Sequence, residues 1–241
     1  MNSSFLTEKG IRKMIAKEEL IVEPLKWKDQ ITAAGIDLRL DTIFREFVTT
    51  DLDVLDVSKQ LPETKLYQLK ELKVERKDTP KNGFRESGGS NSGPATERDY
   101  EGLQIGPMVV HRGEFIMGQT LEYVCLSKHL LGFLDGRSSL ARRGIVVHAT
   151  AGSIEPGFRG HVTLELGNIG KMPVKIFPLM RIACLHLAPV AGDAVYSGQF
   201  WGQVRVKPPK PDRDLLWLLG EFRESAQRDL GGSRKSDTVA N

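Results

Sequence analysis

Cysteine is nearly absent: Cys125 and Cys184 are the only two in 241 residues, and neither has a Cys-x-x-Cys partner or a Cys/His cluster nearby. Neither a disulfide framework nor a cysteine-based zinc site is expected, so zinc is not an expected cofactor. No run approaches the ~18 to 20 consecutive apolar residues that a membrane span requires, and Met1 to Gly10 lacks the apolar core of a secretory signal. These absences predict a cytoplasmic protein with no membrane partner. Excess charge of one sign is also missing, since 34 Lys and Arg against 31 Asp and Glu leave a formal +3. That excludes the concentrated basic footprint of a nucleic-acid binder. A small anionic ligand stays open, because a few well-placed cations and backbone amides can bind one without moving the net charge.

With 40% hydrophobic residues, 24 glycines and 12 prolines, the composition is that of one ordinary domain with appendages. Thr7 is placed to cap a short N-terminal helix whose Ile11, Met14 and Ile15 share one face. In Ile36-Asp37-Leu38-Arg39-Leu40-Asp41 apolar and polar residues alternate strictly, which predicts a half-buried strand. Further short runs lie at Phe44 to Val48, Val109 to His111, Leu121 to Leu126, Ile145 to His148, His161 to Leu166, Val174 to Phe177 and Arg181 to Leu187, separated by Gly, Pro or Asn. Many short strands with turn signals predict an all-β sandwich or barrel. This β domain is expected to run over residues 1–206, with a polar, Gly- and Ser-rich mobile insertion at about 75–101. Residues 207–241 are expected to hold a Pro-rich linker, an amphipathic helix with Leu215, Leu218, Leu219 and Phe222 on one face, and a frayed tail.

The chemistry concentrates between Gly136 and Leu166. In Gly136-Arg137-Ser138-Ser139-Leu140-Ala141-Arg142-Arg143-Gly144, Ser138 or Ser139 is expected to cap a short helix ending near Gly144. Amides, hydroxyls and guanidinium groups gathered at such a helix start suit a polyphosphate. A surface turn with solvated arginines has the same pattern, and the motif alone leaves both open. Pro156-Gly157 predicts a type II turn that holds Glu155 at a strand junction. In Val162-Thr163-Leu164-Glu165-Leu166 the period of two sends Val162, Leu164 and Leu166 to one face and His161, Thr163 and Glu165 to the other. Glu165 is then an exposed strand residue or a carboxylate projecting into a site at a subunit boundary. His148 reads as a satisfied structural histidine. Cys125 and Cys184 read as core thiols.

Taken together, the Gly136 to Leu166 block closely resembles the dCTP deaminase branch of the dCTP deaminase and dUTPase superfamily. The resemblance extends over Ala34 to Leu40, Arg112 to Glu122, Pro173 to Leu187 and Tyr196-Ser197-Gly198-Gln199-Phe200-Trp201-Gly202-Gln203. It implies a distorted jelly-roll or β-barrel fold and a homotrimer with sites between subunits. It also implies magnesium bound mainly through the nucleotide triphosphate. The implied substrate is dCTP, converted to dUTP and ammonia for dTTP synthesis, with dUTP as a further ligand and dTTP as an inhibitor. A bifunctional enzyme forming dUMP and diphosphate, and a non-catalytic nucleotide-binding regulator, are the alternatives.

Carried over by position, Arg137, Ser138, Ser139, Leu140, Ala141 and Arg142 would line the triphosphate and ring pocket, and Glu155, Thr163 and Leu164 would also bind substrate. Tyr196, Gln199 and Gln203 would belong to a closing segment, and Glu165 would be the acid/base. Ser138, Arg142 and the carbonyl of Ala151 would hold the attacking water. The chain has neither the His-x-Glu nor the Pro-Cys-x-x-Cys of zinc deaminases, which leaves proton abstraction to a fixed carboxylate. Two positions depart from the family pattern. Glu155 stands where the family usually has aspartate, which favours dUTP as the product because an added methylene misplaces a positioned carboxylate. Gln199 stands where many relatives carry lysine.

Overall fold

A computed structural model describes residues 5–25, 29–48, 54–56, 63–76, 103–192, 194, 196, 202–205 and 207. The chain divides into two compact units, residues 1–47 with 68–207, and residues 48–67 with 208–241. In the second unit the described structure is the short helix α2 (Glu63–Leu66), where the Val48 N–H donates to the Leu66 carbonyl at 2.9 Å. The expected C-terminal linker beyond Lys207, the amphipathic helix and the tail lie outside the described residues.

The first unit is built from antiparallel strands. Before the insertion come α1 (Glu8–Ala16), β1 (Leu20–Glu23), β2 (Ile36–Arg39), β3 (Ile43–Phe47), β4 (Tyr67–Glu71) and β5 (Val74–Arg76). After it come β6 (Leu103–Ile105), β7 (Met108–Val110), β8 (Phe115–Leu126), β9 (Leu130–Gly136), α3 (Ser138–Ala141), β10 (Ile145–Val146), β11 (Ser153–Ile154), β12 (Arg159–Asn168), β13 (Val174–Ile176) and β14 (Arg181–Pro189). One six-stranded sheet runs β10-β12-β8-β3-β4, with β1 also paired to β8; a four-stranded sheet runs β11-β9-β14-β2. The pairs β7–β13 and β5–β6 complete the set. Both large sheets contribute to one apolar core: Phe44, Ile116, Leu164 and Leu166 come from one, and Leu38, Leu134, Ile182 and Leu185 from the other. Burying such side chains is the main favourable term in folding.

Helix α1 forms where the 3.6-residue spacing places it, with Ile11 buried and Met14 and Ile15 packed on the core. Thr7 occupies the N-cap position, but its side chain makes no capping bond; its carbonyl accepts from the Ile11 N–H at 2.9 Å. Strand β2 departs from expectation. Its burial does not alternate, because Asp37 is 1% exposed and both faces are covered. Val74–Arg76 pairs in register with Leu103–Ile105, so Glu75 and Arg76, at the edge of the expected insertion, lie on a strand. Residues 77–102 lie outside the described residues. Among the described residues, no helix is long and apolar enough to cross a membrane.

Candidate active site

The site region hangs on β12. Its burial alternates as the period of two requires: Val162, Leu164 and Leu166 enter the core while His161, Thr163 and Glu165 remain half-buried on the other face. The register against β8 shifts between His161 and Thr163, a bulge at which the Val162 N–H donates to Thr120 Oγ1 at 2.9 Å. Bulges of this kind re-aim the side chains beside them. Just downstream, Glu165 is held twice. Its N–H donates to the Val147 carbonyl at 2.9 Å, and its Oε2 accepts from the Ala149 N–H at 2.8 Å. The carboxylate therefore has one oxygen fixed by backbone, directed at the exposed loop that carries Ala149, Thr150 and Ala151.

The turn before β12 forms as its sequence demands. Gly157 adopts φ +81°, and the Phe158 N–H donates to the Glu155 carbonyl at 3.1 Å, as a type II turn requires. Glu155 stands exposed at its first position. Tyr196 joins this turn: its N–H donates to the Pro156 carbonyl at 2.7 Å, and its ring lies 6.3 Å from that of Phe158. The segment holding Gln203 docks at the bulge. His161 N–H donates to the Gln203 carbonyl at 2.9 Å, and Gln203 Nε2 donates to Thr163 Oγ1 at 2.6 Å and to the His161 carbonyl at 3.2 Å. Gln203 Oε1 is buried with no partner among the described residues. Gln199 lies outside the described residues.

Helix α3 presents Ser138, Ser139, Ala141 and Arg142 to solvent. The N-cap is Arg137 (φ −75°, ψ 130°) rather than either serine, and no side chain caps the helix. A serine cap would require the chain to turn one residue later; instead the Arg137 carbonyl accepts from the Leu140 and Ala141 amides at 2.9 and 3.1 Å. Leu140 and Leu164 place their side chains in the core, 6% and 0% exposed, so only their backbone atoms are available to a ligand. Among the described residues of one chain, no hydrogen bond or ion pair connects the side chains of Ser138 or Arg142 with Glu165.

Sequence reasoning missed a polar cluster beneath this surface. Arg137 forms an ion pair with the buried Asp37 Oδ2, and Arg181 Nη1 reaches the same oxygen at 3.3 Å. Arg181 also binds Asp29, and that bond holds the Asp29 carboxyl below the ordinary range. Glu122 is fully buried, with Oε1 accepting from Gln30 Nε2 at 2.9 Å and Oε2 accepting from the Arg39 N–H at 2.8 Å. Burial pushes its pKa up to about 7. The available signal was a run of charged residues within otherwise apolar strands, at Asp37, Arg39 and Glu122. His148 also differs from expectation: its Nδ1 is buried with no partner among the described residues. Cys125 and Cys184 are half-buried free thiols whose pKa values are raised by desolvation, that of Cys184 to about 11.

Comparison with known proteins adds a family match, two relatives and a structural likeness. A family model described as dCTP deaminase-like matches residues 93–190. The chain is 33% identical over 217 residues to a protein of Parafrankia sp. (strain EAN1pec) named "dCTP deaminase, dUMP-forming", covering 87% of this chain and 92% of that protein. It is 34% identical over 218 residues to a protein of the same name from Mycolicibacterium smegmatis, covering 88% of this chain and 96% of that protein. Among solved structures, 2'-deoxycytidine 5'-triphosphate deaminase from Agrobacterium tumefaciens superposes with a TM-score of 0.52 at 16% identity, covering 79% of this chain and 49% of that chain. That likeness shows a shared fold.

Proposed function

The chain belongs to the dCTP deaminase family, and on that premise we propose that it hydrolyses the amino group of dCTP and then cleaves the resulting dUTP to dUMP and diphosphate. The observation that carries the first step is the fixed Glu165 carboxylate, one oxygen held by the Ala149 amide at 2.8 Å on the face of β12 turned away from the core. Glu165 acts as general base, a role worth about 10² to 10⁴-fold. It takes a proton from water as the oxygen attacks C4 of cytosine. The proton passes to N3; Glu165 then takes the proton of the new C4 hydroxyl and delivers it to the amino group, the C4–N bond breaks, and ammonia leaves as the carbonyl of uracil forms. Ser138, Arg142 and the Ala151 carbonyl position the water and the tetrahedral intermediate.

Arg137 and the exposed hydroxyls of Ser138 and Ser139 receive the triphosphate, while Thr163 and the backbone at Leu164 border the base. Tyr196, Gln199 and Gln203 close over the nucleotide. The donors offered by α3 are cationic and hydroxylic rather than carboxylate, which suits a magnesium ion carried by phosphate oxygens. When bound, magnesium supplies neutralisation of the triphosphate charge. The active assembly is a homotrimer.

Formation of dUMP is supported by the names of both relatives described above. A second reading, in which the product is dUTP, is favoured by Glu155. Its carboxylate is one methylene farther from the backbone than the aspartate usual at this place, and a misplacement of about 1 Å can cost roughly 10²-fold.

The test is to incubate the protein and Glu165→Gln with magnesium and dCTP, and separately with dUTP, recording ammonia, diphosphate and nucleotides. Ammonia together with dUMP is expected from the parent, and dCTP binding without ammonia from the variant. Accumulation of dUTP that is not cleaved would favour the second reading. Substantial ammonia release by Glu165→Gln would remove Glu165 from the chemistry.

A further inference from the structure

We propose that Asp37 is a positioning residue for the triphosphate, acting through Arg137. Asp37 lies on β2, in the sheet opposite the strand that carries Glu165, and its side chain is 2% exposed. Its Oδ2 is shared by the guanidinium groups of Arg137 and Arg181, whose side chains are 33% and 31% exposed. The carboxylate thus lies beneath two half-buried cations and fixes them from below. Arg137 is the N-cap of α3 and enters that helix directly from β9. A guanidinium has five N–H donors in a rigid fork, so engaging one side with Asp37 leaves the other free for phosphate oxygens.

Three further features point to a positioning role. Asp37 Oδ1 is buried with no partner among the described residues, so the side-chain hydrogen bonds this carboxylate accepts come from the two arginines at Oδ2. The backbone of Asp37 is itself clamped: its N–H donates to the Gln30 carbonyl at 2.8 Å, and its carbonyl accepts from Gln30 Nε2 at 3.0 Å. Arg181 is restrained independently by Asp29. The base of the arrangement is therefore rigid, and the Arg137 fork is oriented before substrate arrives. Pre-orientation lowers the ordering cost of binding.

The inference rests on the reading that Arg137 contacts the triphosphate, and a double-mutant cycle separates the two. Asp37→Asn keeps the side-chain shape and both backbone contacts but removes the charge. It should raise KM for dCTP by about tenfold while kcat changes by less than about threefold, the pattern of lost binding rather than lost chemistry. In an Arg137→Ala background the same substitution should add nothing, because coupled residues fail additivity. Equal losses in both backgrounds would overturn the positioning role. If Arg137→Ala alone leaves KM unchanged, the phosphate reading of Arg137 fails. Arg137→Lys tests the idea without touching Asp37: a point charge cannot serve carboxylate and phosphate as a fork does, so KM should rise. A parental KM for Arg137→Lys would count against the proposal even if Asp37→Asn does not fold.

Discussion

Glu122 carries a carboxyl group with no solvent exposure, and its neighbours determine when that group ionises. Gln30 Nε2 and the Arg39 N–H donate to its two oxygens, yet desolvation outweighs these bonds and the attraction of the Arg39 charge. Its pKa is about 7, against 4.5 for the ordinary side chain. Between those values the folded protein keeps a proton that the unfolded chain releases. The stability from this group is therefore complete below about pH 4.5 and is lost as the pH rises through about 7. The difference is on the order of 3 kcal/mol. Glu122→Gln matches the protonated form in shape and in lack of charge. Urea unfolding between pH 4.5 and 7 should show stability declining in the parent and much less in Glu122→Gln. Parallel profiles would mean that Glu122 ionises at an ordinary pH.

Strand β12 carries the proposed site, and three local rules converge on it: a turn sets its start, a bulge bends it, and a glycine lets another segment dock. A Cβ built on Gly160 would lie 2.8 Å from the Gln203 carbonyl oxygen and 3.0 Å from its nitrogen, and Gly160 has φ +151°. Gly160→Ala should therefore release the Gln203 segment and destabilise the fold by about 1 to 3 kcal/mol. Limited proteolysis should cut the variant faster on the C-terminal side of Arg159, with a lower melting temperature. A parental digestion pattern and melt would show that the strand and the segment are not tied through this contact. The turn and the alternation in β12 were legible in the sequence, because Pro156-Gly157 and Val162 to Leu166 state them locally. Strand β9 was not picked out, since Leu130 to Gly136 has no clean polar alternation. Asp37 was placed on the wrong kind of face for a related reason. The period of two registers polarity but not the arrival of Arg137, 100 residues farther along the chain, to pair the charge. Similarly, the serine cap was a sound local preference, but the turn that the chain makes at Arg137 overrides it.

At the scale of the whole molecule, the proposed catalytic groups form two sets. Glu165 and the Ala149 loop are joined by a hydrogen bond, and Ser138 and Arg142 stand exposed on α3. Among the described residues of one chain, no hydrogen bond or ion pair joins Arg142 to Glu165. A trimer with cyclic symmetry can complete such a site by setting α3 of one subunit against β12 of the next, because a head-to-tail interface brings different surfaces together. The arrangement makes a prediction that a site within one chain does not. Arg142→Ala and Glu165→Gln should each be inactive alone. After the two are unfolded together and refolded as a mixture, a subunit with intact Arg142 will sometimes face one with intact Glu165. With equal amounts and random assembly, about a quarter of the boundaries restore a complete site, so ammonia release should recover to roughly that fraction of parental activity. If both residues acted within one chain, every site in the mixture would lack one of them and no activity would return. Light scattering on the same sample checks that trimers have formed, so a failure to complement in a well-formed trimer would assign both residues to a single subunit.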